Sequence, residues 1–127
     1  MNTKICTSLK QSKELAEILP IETADMYLEQ EGNLLKSVIG SYILHNQCME
    51  DKDYKKLSNP VLSPAWSLSA LLQLIPLSSL VCLGGENGII EWSCGAFDGK
   101  DYTQLIAKTP IDAAFEMVVW LKENNKL

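Results

Sequence analysis

The sequence predicts an α+β fold: an antiparallel sheet with a three-stranded meander at about residues 80–107, packed by helices at about 9–19, 65–75 and 110–123. Three observations carry this reading. Asn87-Gly88 and Asp98-Gly99 are two-residue turn signals between apolar runs, because both central positions of such a turn need positive φ. Thr109-Pro110 followed by a long apolar stretch marks a helix start. Ser8 with Gln11 three residues later has the spacing of a capping box.

After that box, Leu9, Ser12, Leu15, Ala16, Ile18 and Leu19 read as an amphipathic helix stopped by Pro20. In "IETADMYLEQEG" the residues Ala24, Met26 and Leu28 alternate with Asp25, Tyr27 and Glu29, which predicts a strand near 23–29. "LLKSVIGSYILHN" predicts a second strand near 37–44 from its β-branched residues and Gly40. Residues 47–60, with mixed charges and no periodicity, predict a solvated excursion.

"SPAWSLSALLQLIP" predicts a helix over about 65–75, with Ser63 as cap, Pro64 in the first turn and Pro76 as terminator. Leu68, Leu71, Leu72 and Ile75 form a core-facing stripe, and Trp66, Ala70 and Leu74 a second one. The second stripe is either core facing another layer or a partner surface anchored by Trp66. Core is the preferred reading, since apolar stripes at helical spacing are usually scaffold.

The two meander turns each imply a register. The first sets Leu83 opposite Trp92 and Val81 opposite Cys94. The second sets Trp92 opposite Leu105, Ile90 opposite Ala107 and Cys94 opposite Thr103. One face then collects Val81, Leu83, Ile90, Trp92, Cys94, Leu105 and Ala107. In the last helix Asp112, Glu116 and Glu123 share a narrow polar band, while Ile111, Ala113, Ala114, Phe115, Met117, Val118, Trp120 and Leu121 are apolar. That exceeds an ordinary surface helix, so it is sandwiched in the core or shared with another subunit.

At 127 residues the chain predicts one domain, 1–127, able to bury a core without metal or disulfide staples. A net charge of −5 and no basic cluster beyond Lys55-Lys56 argue against nucleic acid as a partner. No run reaches membrane-spanning length and the N-terminus lacks a signal-peptide core, which predicts no membrane association and a cytoplasmic location. Cys6, Cys48, Cys82 and Cys94 are then expected to be reduced thiols.

"PAWSLSALLQLIP" followed by "PIDAAFEMVVWLKENNKL" resembles a recurrent pairing in small uncharacterised proteins of gut Bacteroidetes, including those on phages and other mobile elements. "TADMYLEQ" resembles a third, weaker block. The resemblance implies a bacterial or phage origin and a free-standing domain, and it carries no activity or catalytic residue across.

The chemistry-bearing residues form no strong motif. His45 and Cys48, in "HNQC", would point to opposite faces of a strand, against the geometry of a nucleophilic pair. No Cys-x-x-Cys is present to suggest structural zinc. The carboxylates at 29–31, 50–53 and 98–101 sit where solvated turns would put them, and "GGENG" lacks the lysine and helix of a phosphate loop. No catalytic, cofactor-binding or metal residue is therefore assigned. Two functional expectations follow. The first is a non-enzymatic accessory or interaction module, self-associating or bound to another protein through Trp66, Leu74, Met117 and Trp120. The second is a small enzyme or ligand binder with a pocket between sheet and helices using Tyr27, Tyr42, Glu91 or His45.

Overall fold

The computed structural model describes residues 4–42, 60–84 and 88–127. They form an α+β fold of three helices and two three-stranded antiparallel sheets, gathered into two compact units. The first is Cys6–Ser67; the second joins Met1–Ile5 to Leu68–Leu127. The meander is thus a sheet of its own, and the N-terminal strands make a separate one. Among the described residues no helix is long and apolar enough to cross a membrane.

The first unit opens with α1, Leu9–Ile18. The capping box forms reciprocally: Gln11 N–H donates to Ser8 Oγ at 3.2 Å, and Ser8 N–H to Gln11 Oε1 at 3.0 Å. A 3₁₀ turn, Ile21–Thr23, leads into β1, Met26–Glu31. β1 is central, between β2 (Leu34–Ile39) and β3 (Val61–Ala65). The strand expected at 37–44 starts earlier because Gly32-Asn33 reverses the chain directly, pairing Glu31 with Leu34. Gly32 supplies the positive φ, 60°, that such a tight hairpin needs. Cys6, Met26, Leu28 and Ala65 make a small core, with Leu9 against it.

Ser63 and Pro64 do not begin a helix, as the sequence suggests; both belong to β3. Pro64 is tolerated there because β3 is an edge strand and loses little for want of an N–H. Trp66 also stays outside the helix, because its backbone is taken: Thr7 N–H donates to Trp66 O at 3.0 Å, and Trp66 N–H to Thr7 Oγ1 at 3.1 Å. Its indole donates to Thr23 Oγ1 at 2.9 Å. The stripe Trp66–Ala70–Leu74 is therefore not a helix face.

The second unit comprises α2 (Leu68–Leu74), β4 (Ser79–Gly84), β5 (Ile90–Phe97), β6 (Tyr102–Ala107) and α3 (Pro110–Glu123). Strand order is β4-β5-β6. Both expected registers shift. In β4–β5 Gly84 pairs with Ile90, so the connection spans five residues and not two; Asn87 lies outside the described residues, and Gly88 keeps its positive φ of 75°. Cys82 now faces Trp92, and Leu80 faces Cys94. This one-residue slip moves Val81 and Leu83 to the opposite face of the sheet.

In β5–β6 the loop is Asp98–Asp101, and the slip is two residues, which preserves the faces: Cys94 pairs with Leu105 and Trp92 with Ala107. The cause is the Asp98 carboxylate. Its Oδ1 accepts from Lys100 N–H at 2.9 Å and from Asp101 N–H at 2.8 Å, which favours a wider turn than Asp98-Gly99 alone would make.

Thr109 caps α3, its Oγ1 accepting from Asp112 N–H at 3.1 Å, and Lys4 pairs with the Asp112 carboxylate at 2.6 Å. Helix α3 lies against β5 and β6 and also against α2. Two contacting layers account for its surplus apolar surface, and Ile111, Ala113, Ala114, Met117, Val118 and Leu121 are buried. It ends in a Schellman arrangement: Lys126 N–H reaches Leu121 O at 2.8 Å, and Asn125 N–H reaches Lys122 O at 3.2 Å. Asn125 takes the left-handed position, φ 55°. Beyond it, Lys126 Nζ pairs with Asp98 at 2.9 Å and stands 5.2 Å from the Trp120 ring centroid.

Candidate interaction surface

Helix α3 packs on β5 and β6, where Cys94 and Ala96 are buried, whereas the opposite side of the meander carries exposed apolar residues. Across that open face Val81 pairs with Ser93 and Ser93 with Ile106, while Ser79 pairs with Gly95 and Gly95 with Gln104. Leu83 lies opposite Glu91, and Phe97 opposite Tyr102. The five large apolar residues of this face, Val81, Leu83, Phe97, Tyr102 and Ile106, are each 36 to 57% exposed. A sheet face in water is ordinarily polar; here five large apolar residues share it with Ser79, Glu91, Ser93 and Gln104.

Small residues of the central strand form the floor. Ser93 is buried, and the Gln104 side-chain amide reaches over from β6 to donate to its hydroxyl. Gly95 is shorter still, and Tyr102 lies across it to bring its Oη within 3.3 Å of Ser79 Oγ on β4. An added Cβ at residue 95 would collide with the Tyr102 hydroxyl and stand 2.7 Å from its Cζ. Tyr102 therefore spans all three strands, and the glycine is what lets it lie flat.

The face offers apolar contact with hydroxyl and amide groups engaged among themselves. Among the described residues its one carboxylate is that of Glu91, which is exposed. Nearby chemistry is muted as well. Burial pushes the Cys94 thiol up to about 11, so it stays protonated and poorly nucleophilic. Asp98 is held well below the usual carboxylate range by the Asp101 N–H, then by Lys126 and the Lys100 N–H, and remains an anion in its turn. Among the described residues no three His, Cys, Asp or Glu side chains gather as a metal site would require.

The residues expected to form an interface lie elsewhere. Trp66 and Met117 have no exposed surface, so neither presents an anchor to a partner. Leu74 and Trp120 are half-buried, Trp120 with Lys126 over its ring. Of the residues considered for a pocket, Tyr27 is half-buried in the first unit and Glu91 exposed in the second. Tyr42 is half-buried, and His45, like Cys48, lies outside the described residues. The open face was missed because the expected β4–β5 register turned Val81 and Leu83 inward. One signal was available: Leu80, Val81, Cys82 and Leu83 are consecutive apolar residues, a pattern that puts apolar groups on both sides of a strand.

No protein-family model matches this chain, and no curated protein or solved structure matches it.

Proposed function

We propose that this chain is a non-enzymatic accessory or interaction module whose contact surface is the open face of β4–β6, with a second copy of the chain as the first partner to test. The reading keeps the cytoplasmic location and the bacterial or mobile-element origin suggested by the sequence. Its main support is the row of half-exposed apolar side chains Val81, Leu83, Phe97, Tyr102 and Ile106 on one sheet face.

The magnitude sets the kind of association. Fully burying such a side chain is worth about 1.5–3 kcal/mol, so covering five half-exposed ones on each of two copies gains roughly 8–15 kcal/mol. Association itself costs on the order of 4–15 kcal/mol. Gain and cost are of similar size, so the reading expects pairing that depends on concentration. Sedimentation of the wild type and of Val81→Asp from micromolar to near-millimolar protein tests this. The proposal expects association at the upper end that the substitution abolishes. A strict monomer throughout eliminates self-association and leaves only a different protein as partner.

A further inference from the structure

No further inference is drawn: the strongest candidate, the outer edge strand β2 of the first unit with exposed Leu34, Leu35 and Ile39, is an apolar edge, and nothing in the structure shows what covers it.

Discussion

Gly95→Ala isolates the contact on which the open face is built. A methyl group at residue 95 would stand 2.6 Å from Ser79 Oγ and 2.7 Å from Tyr102 Cζ, so both side chains must move. Moving Tyr102 breaks its hydroxyl contact with Ser79, worth about 1 kcal/mol. It also lifts the ring from the floor, at a cost on the order of 0.5–1 kcal/mol for partial loss of burial. Against this, replacing a mid-strand glycine with alanine recovers about 0.5–1 kcal/mol of backbone entropy. The net expectation is a loss of about 1 kcal/mol. In a Tyr102→Ala background the obstruction is gone and Ser79 can rotate away. There the same change should stabilise by about 0.5 kcal/mol. Urea unfolding of the four proteins gives the coupling energy, expected near 1.5 kcal/mol. Additivity within about 0.5 kcal/mol would refute the argument that Tyr102 rests on Gly95.

Other consequences are simpler to test. Thr109→Ala removes the cap of α3 and should cost about 1 kcal/mol by urea denaturation, whereas Thr109→Ser should recover most of it. The ionised Asp98 turn stabilises the fold at neutral pH. Because its folded pKa is depressed, that contribution is complete above the unfolded value of about 3.9 and fades as pH falls towards the folded one. The stability advantage of the wild type over Asp98→Asn should accordingly shrink below about pH 4, and a constant difference from pH 3 to 7 would contradict it. Cys82 is exposed and Cys94 is a buried thiol with its pKa near 11. At pH 8 a maleimide should modify Cys82 readily and Cys94 only on unfolding; equal rates by peptide mapping would overturn that assignment.

The parts legible in the sequence are those decided within a few residues. Ser8 and Gln11 close their box inside one turn, and Thr109 with Pro110 starts α3 from the same local rules. The elements that depart from those local rules depend on distant or side-chain-specific bonds. Helix α2 starts at Leu68, later than its local signals suggest, because Trp66 is bound through its backbone to Thr7, 59 residues away. The second meander turn is wider than Asp98-Gly99 alone predicts because the Asp98 carboxylate recruits two backbone donors beyond Gly99. In β4 a connection of five residues in place of two slips the register by one, which exchanges the two faces and leaves Val81 and Leu83 exposed. The open face of β4–β6 thus depends on a register that the turn residues alone do not fix, although its apolar residues stand in the sequence.

Lys126 ties together three features that come from different stretches of chain. Its amide completes the end of α3, its ammonium neutralises the turn between β5 and β6, and the same charge caps Trp120. Cutting the polypeptide after Asn124 would undo all three together, leaving an uncompensated anion and a bared indole at one corner. A reporter fused beyond Leu127 should accordingly be joined by a compliant spacer, so that its drag does not unfasten this clasp.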